Sequence, residues 1–486
     1  AVAVVALTAV LVILTRRKKP ASTRMKRSMS FTSRLMLDGS MPDNVNMIDP
    51  IINAVLLYDD PPADAAIIEL MTSMLSYERM SKIPVKDNSA NMWFWEEPTG
   101  FDIKNHLISK TVASDKELWA MISDMAPRSL LRPGGMAQPI WEMVIIRNSG
   151  GKSAMIMRLH HTIADGISLV SVMNRLLKDR SGAPLALQVP FQRKDGAGKG
   201  MTMGMIGKIL SAVGTCLYVG VSPYDTDLLF TSGPAKKKIV FKGKRKVVLM
   251  PDVEESLIKA LKNAAKVTFN DVMFSAFGGA IRRYCEKRND PLLAKLGKSV
   301  QIRALLPVAF PRSEAEASDP TRVLRNKWCF ISAKFPVGEP TPADRLKAAN
   351  EVMNGLKNSP VAPIQLWLQN NLVSKLPLFA QRQFAFDAFS RHSVVFSNVP
   401  GPKIPVLAAG KEIVGLQMVF PNILPQVGIL SYNGMCHANM VLDEEVVTSP
   451  EILRECFVEE LREMASGLGV DFPGAIADRL TALKGI

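Results

Sequence analysis

Short apolar runs and stretches of helical spacing alternate along this chain. Trp141 to Ile146 and Ser153 to Leu159 are brief apolar runs separated by Asn148-Ser149-Gly150-Gly151. That pattern predicts a β-hairpin whose turn residues tolerate positive φ. His160 closes the second run, a loop follows, and the spacing predicts a helix from about Ile167 to Leu177 with Leu169, Val170, Met173, Leu176 and Leu177 inward. Asp64 to Tyr77 also has helical spacing, with Ala65, Ile68, Leu70, Met71, Met74 and Leu75 on one face. Later come a strand pattern at Ile239 to Leu249, helices at Val253 to Ala265 and Asp271 to Tyr284, strands at Ile302 to Leu306 and Trp328 to Phe335, and an amphipathic helix at Glu451 to Ala465.

Irregular alternation of strands and helices in both halves predicts a layered α/β protein of two lobes. The length, 486 residues, is too great for one ordinary core. Residues 41–181 read as the first lobe, 182–235 as the connection and 236–486 as the second lobe. Pro184, Pro190, Gly196, Gly198 and Gly200 mark the connection. Within it, Ile206 to Val221 is apolar and too short to span a bilayer. It reads as a core helix, the alternatives being a helix resting on a membrane or the wall of an acyl-chain tunnel.

Charge changes the picture at the start of the chain. Ala1 to Leu14 is apolar apart from Thr8, and Arg16-Arg17-Lys18-Lys19 follows. This order predicts part of a membrane anchor over residues 1–15 and a basic juxtamembrane linker over 16–40 that stays cytosolic. A cleaved signal peptide would carry its positive charges before the apolar run. The net charge of +15 is local: eight basic residues precede Asp38, and seven more lie between Lys236 and Lys246. No aromatic interleaving accompanies either block, so nucleic acid is not an expected partner. The five cysteines are widely spaced and outside any CxxC pair, which disfavours a disulfide framework or zinc site and fits a reducing compartment.

The candidate chemistry lies at His160-His161-Thr162-Ile163-Ala164-Asp165-Gly166, between a predicted strand and a predicted helix. Neighbouring strand residues face opposite sides, so one histidine can face a channel while the other turns inward. A neutral imidazole is suited to taking a proton from a hydroxyl. Asp165 stands at the mouth of the helix, and Gly166 permits a tight turn there. The loop offers no spaced third ligand for a metal.

HHxxxDG resembles the signature of coenzyme A-dependent acyltransferases of the chloramphenicol acetyltransferase and condensation-domain type. Pro139-Ile140-Trp141-Glu142, Thr268-Phe269-Asn270-Asp271-Val272, Arg303-Ala304-Leu305-Leu306-Pro307-Val308, Ser397-Asn398-Val399-Pro400-Gly401-Pro402 and Leu430-Ser431-Tyr432-Asn433-Gly434 follow in order. Together they are similar to the motifs of the wax ester synthase/diacylglycerol acyltransferase family, with Ile140 where that family has Leu. The resemblance implies a two-lobed chloramphenicol acetyltransferase-like fold and acyl transfer from acyl-CoA to diacylglycerol or a long-chain fatty alcohol. It implies no permanently bound cofactor, acyl-CoA being a co-substrate, and it implies contact with a membrane surface. The lipid chemistry fits the cytosolic side of the endoplasmic reticulum.

Carried over residue by residue, the resemblance makes His161 the base, with His160 beside it. Asp165 becomes a loop-fixing carboxylate, with Arg303 as a candidate partner. Asn270 is either a polar group near the reacting centre or an N-cap for the following helix. Pro139, Trp141, Asp271, Arg303, Asn398, Pro400 and Gly401 are expected to shape the fold, with Asn398 bonding the turn. The block at Lys236–Lys246 either attracts coenzyme A phosphates or anionic headgroups, or is a solvated strand face. The rival functions are transfer to a small alcohol or amine on the same fold, and a non-catalytic lipid-binding relative.

Overall fold

The computed structural model describes residues 29–45, 47–89, 92–131, 137–185, 203–231 and 244–486. The anchor, most of the basic linker, and Lys236 to Lys242 of the second basic block lie outside the described residues. Strands of four or more residues are β1 (Ile51–Tyr58), β2 (Ile83–Asp87), β3 (Met92–Glu96), β4 (Leu107–Val112), β5 (Trp141–Asn148), β6 (Ser153–His160), β7 (Lys246–Leu249), β8 (Ile302–Ala309), β9 (Trp328–Phe335), β10 (Val394–Pro400), β11 (Gly415–Val419), β12 (Gln426–Tyr432) and β13 (Met435–Leu442). Helices used below are α1 (Phe31–Asp38), α2 (Asp64–Met74), α3 (Asp115–Met125), α4 (Gly166–Leu176), α5 (Met203–Tyr218), α6 (Glu255–Ala264), α7 (Phe269–Lys287), α8 (Pro342–Lys357), α9 (Val361–Asn371), α10 (Leu378–Ser390) and α11 (Ile452–Gly467).

Two mixed sheets organise the lobes. The first runs β11-β1-β6-β5-β4, and the second runs β9-β8-β10-β12-β13-β7, with Val253–Glu254 also on β13. The lobes therefore share chain: β11 comes from the C-terminal half but pairs antiparallel with β1 of the first sheet. Apolar residues of the first lobe (Val55, Trp119, Ile156) and of the second (Val247, Leu249, Val441) form one buried cluster between them. The first lobe has its own core around Trp141, Met157 and Leu159. The larger second core is built on α7 and α11, where Phe274, Phe277 and Phe457 are fully buried.

Several local expectations hold in outline and fail in detail. The β5–β6 hairpin forms, but neither Gly150 nor Gly151 takes a positive φ. A Cβ on Gly150 would lie 2.1 Å from the Ala113 carbonyl oxygen, and one on Gly151 would lie 2.2 Å from Asp115 Oδ1. Close packing against that segment is what requires them. α2 turns Ile67, Met71 and Met74 inward and leaves Ala65 exposed. In α4 Leu169, and Leu177 just after it, are buried as expected, together with Ser168, Ser171, Val172 and Asn174, while Val170, Met173 and Leu176 are only partly buried. Helical spacing fixed the period in both cases, and the neighbouring elements fixed the phase.

The largest departure is α5. It was expected in the core, yet among its described side chains only Ala212 is buried, and Ile206, Leu210, Leu217 and Tyr218 are exposed. Among the described residues no helix is long and apolar enough to cross a membrane. Of the second basic block, Arg245 is buried and pairs with Asp443 at 2.9 Å, and Lys246 pairs with Glu451. Those two cations therefore serve the fold and are not a free basic face.

Candidate active site

His160 ends β6 with its ring fully buried. Its amide donates to Ile140 O at 3.0 Å, and the next amide, that of His161, donates to Pro50 O at 2.8 Å. Strand geometry thus sends the two rings apart, as alternation requires. The Thr162 amide donates to His160 Nδ1 at 3.2 Å, so the His160 proton sits on Nε2. Burial, helped by the nearby His161, pushes the His160 pKa down to about 3. His160 is a neutral structural ring.

The loop from His161 to Asp165 is held on every side. Ser33 of α1 donates to Thr162 O at 3.0 Å, and Thr162 Oγ1 returns a bond to Ser33 O at 2.9 Å. Arg79 Nη1 donates to Ile163 O at 2.9 Å and to Thr162 O at 3.2 Å. Asp165 Oδ1 caps α4 by accepting from the Ser168 amide at 2.9 Å. Asp165 Oδ2 accepts from the Lys327 amide at 2.8 Å and from Arg312 Nη2 at 2.6 Å. Gly166 begins the helix without a positive φ; a Cβ there would meet Val399 Cγ2 at an ordinary 3.7 Å.

The expected partner of Asp165 was Arg303, and the structure corrects this. Arg303 binds Asp225 Oδ1 at 2.7 Å and Ser222 Oγ at 2.6 Å, and donates to Arg391 O at 2.7 Å. It fastens the segment after α5 to the second sheet. Arg312 carries out the expected role because it follows β8, whose end lies beside the loop, whereas Arg303 stands near the start of that strand.

His161 lies where the lobes meet. Its ring packs against Trp328 of β9 at 5.5 Å and against Phe420, just after β11, at 5.6 Å between centroids. Its Nδ1 lies 3.1 Å from Asn326 Oδ1. The direction of that bond is decided by the other end of the Asn326 amide. Asn326 Nδ2 donates to His161 O at 2.7 Å, Thr162 O at 3.1 Å and Ser33 Oγ at 3.1 Å. A flipped amide would set an oxygen against two carbonyls, so Oδ1 must face the imidazole. The Trp328 indole N–H, donating to that same Oδ1 at 3.2 Å, fixes it further. His161 Nδ1 therefore carries the proton and donates, which leaves the Nε2 lone pair to act as a base. Burial lowers the His161 pKa, against the opposing pull of its own carbonyl, the Asp165 carboxylate and Asn326. The ring is held neutral and in one tautomer.

The remaining motif residues have other partners. Trp141 is buried and its indole N–H donates to Met80 O at 2.7 Å, with Pro139 buried beside it. The N-cap of α7 is Thr268, not Asn270, and Asp271 completes a capping box with it. Asp271 Oδ2 also accepts from Asn350 of α8 at 2.9 Å. Asn270 is exposed, and its Oδ1 accepts from Asn398 Nδ2 at 2.7 Å. Asn398 thus ties β10 to the start of α7 rather than bonding its own turn. Gly401 donates to Ser431 O at 2.9 Å, and a Cβ there would lie 2.3 Å from that oxygen. Pro400 is exposed at the end of β10. No group of three or more His, Cys, Asp or Glu among the described residues could hold a metal ion.

Sequence reasoning missed Asn326, Arg312, Arg79 and Ser33, which together hold the loop. None lies in a motif, and each is brought in by the packing of segments distant in sequence.

Two family models match the chain: the wax ester synthase/diacylglycerol acyltransferase catalytic domain over residues 66–220 and the WS/DGAT C-terminal domain over residues 324–465. The chain belongs to the wax ester synthase/diacylglycerol acyltransferase family. As a member of that family it is an acyltransferase. It is 22% identical over 467 residues to wax ester synthase/diacylglycerol acyltransferase 11 of Arabidopsis thaliana, covering 85% of this chain and 94% of the relative. Wax ester synthase/diacylglycerol acyltransferase 2 of the same plant is 22% identical over 429 residues, covering 82% and 88%. Among solved structures, the family enzyme from Marinobacter aquaeolei VT8 superposes with a TM-score of 0.60 at 17% identity, covering 91% of this chain and all of that one. The first condensation domain of the calcium-dependent antibiotic synthetase gives 0.56 at 14% identity, covering 92% and 97%. The expected two-lobed acyltransferase fold is thus the observed one.

Proposed function

We propose that the protein transfers a long-chain fatty acyl group from acyl-CoA to diacylglycerol, to a long-chain fatty alcohol, or to both, with His161 Nε2 as the base. Nε2 takes the acceptor's hydroxyl proton as that oxygen attacks the thioester carbonyl carbon. The tetrahedral species collapses, the C–S bond breaks, and the imidazolium returns its proton to the departing thiolate. Atoms and charge balance with no covalent acyl-enzyme and no permanently bound cofactor. Base assistance of this kind is worth roughly 10²–10⁴-fold, and the remainder comes from positioning the two substrates.

The observation that carries this reading is the Asn326 contact, which keeps the Nδ1 proton in place and Nε2 free. Trp328 and Phe420 flank the ring with apolar surface, which favours the acceptor over water. The five unpaired cysteines support a cytosol-facing location, and the lipid acceptors support association with the endoplasmic reticulum membrane.

Purified protein given labelled palmitoyl-CoA with diacylglycerol, hexadecanol or small alcohols in parallel tests the proposal. We expect ester product with the lipid acceptors, and none from His161→Ala protein that keeps its circular dichroism. Turnover restricted to small alcohols would replace the acceptor assignment. Product from the alanine variant would remove the base.

A further inference from the structure

We propose that the face formed by α5, α9 and α10 docks on an anionic lipid bilayer. The proposal deepens the functional reading above, since a membrane-dissolved acceptor must reach His161 from some side. Nine large hydrophobics are exposed among the described residues, and seven of them fall on 206–221, α9 and α10. Leu210 is 66% exposed, Trp367 62% and Phe379 73%; Ile206, Leu217 and Tyr218 join them. Single exposed apolar residues need no explanation, but a cluster of this kind marks an interaction surface.

The three helices are contiguous. Cys216 Sγ of α5 donates to Val361 O of α9 at 3.9 Å. α10 begins seven residues after α9 ends, and Arg391 at its end donates to Gly220 O, just after α5, at 2.9 Å.

The occupant follows from charge and from residue type. Residues 203–224 contain one charged side chain, Lys208. Residues 352–390 contain Lys357, Lys375 and Arg382 and one carboxylate, Asp387, which accepts from Gln383; Arg382 is paired with Asp43. Lys208 and Lys375 are exposed. An apolar surface carrying Trp and Tyr, fringed by exposed lysines and with a single half-buried carboxylate, Asp387, suits the headgroup region of an anionic bilayer.

Where the preceding chain joins the fold agrees. Thr32 of α1 accepts from Gln369 Nε2 of α9 at 2.9 Å, and Arg382 of α10 donates to the carbonyls of Asp38 and Gly39. Residues 1–28 contain the apolar run and Arg16 to Lys19, and α1, which follows them in sequence, packs against these same two helices. The site is also close to this face: Gln369 lies 3.4 Å from Trp328 O, and the Trp328 ring packs on His161.

The test uses the full chain with vesicles of phosphatidylcholine, with and without phosphatidylserine. Hydrogen exchange over 203–218 and 361–390 should slow when phosphatidylserine vesicles are added. Leu210→Glu/Trp367→Glu/Phe379→Glu protein should float with vesicles at least about tenfold less, since each buried apolar side chain lost is worth roughly that factor. Its turnover of a water-soluble short alcohol and its thermal melt should match those of the parent, which shows that the variant is folded. Equal flotation of the variant, with no slowing on these helices, would overturn the proposal in favour of attachment through the N-terminal segment. Slowing that needs no vesicles and grows with protein concentration would overturn it in favour of a second copy. If no acceptor is esterified at all, the functional reading fails while the flotation result stands by itself.

Discussion

His161 Nδ1 donates a hydrogen bond to Asn326 Oδ1 across 3.1 Å, although 165 residues separate the two in sequence. The proposed base comes from the first lobe and the group that sets its tautomer comes from the second. Asn326 is a positioning residue, acting on the substrate only through the imidazole.

Asn326→Ala should leave the fold intact and lower kcat by about 10²-fold, because the ring loses its preference for a free Nε2. KM for palmitoyl-CoA should change little. Asn326→Asp should raise the pKa of His161 by placing a carboxylate on Nδ1, moving the acidic limb of the kcat/KM profile upward. A purely structural asparagine would lower stability without moving that limb, so the pH profile decides.

The acid limb itself is predictable in sign. As the proposed base, His161 would work when neutral, and burial lowers its pKa from the ordinary 6.5. Activity should therefore persist below pH 6.5 and fall only as pH passes through the depressed value. The same shifts act on stability. Unfolding returns both histidines to about 6.5, so the unfolded chain binds more protons below that pH. Their contribution is complete above about 6.5 and shrinks as pH falls from there toward 3. Urea denaturation midpoints on either side of pH 6.5 would check this.

Arg312→Ala should destabilise the protein by about 3–5 kcal/mol, since it leaves the buried Asp165 carboxylate without its cation. Activity should drop as the loop loosens. Adding Asp165→Asn to that variant should recover part of the loss, as expected for a coupled pair. Arg303→Ala should also destabilise, through Asp225, yet show no coupling to Asp165→Asn in the same denaturation series.

Gly401 and Gly166 should behave oppositely when changed to alanine. Gly401→Ala would force a Cβ to within 2.3 Å of a backbone oxygen, costing about 1–3 kcal/mol or more by overpacking. Gly166→Ala meets nothing closer than 3.7 Å and has no positive φ to lose, so it should melt at or above the parent temperature.

Much of this was legible in the sequence because it was local. The hairpin, the loop with its two histidines, and the runs at 302 and 328 were visible as patterned segments with turn residues between them. The resemblance implied that Asp165 fixes the loop through an arginine, and Asp165 does bind Arg312 besides capping α4. Its arginine was misassigned because β8 carries Arg303 near one end and leads to Arg312 beyond the other, and only strand register tells which end meets the loop. Asn326 had no signature at all: one asparagine beside a lysine and a tryptophan reads as an ordinary strand entry. α5 failed for a different reason. Apolar composition announces that a helix avoids water, but it does not say whether protein or lipid replaces the water.

β11 completes the first sheet only after most of the chain has been made. Until residue 419 has left the ribosome, β1 has an open edge, ready to pair with a strand from another nascent chain. Expressing the two halves separately would leave each missing a neighbour it cannot supply, and a nick in the connection would yield fragments that stay clasped until denatured. His161 thus stands on a lobe whose completion waits for synthesis of the other.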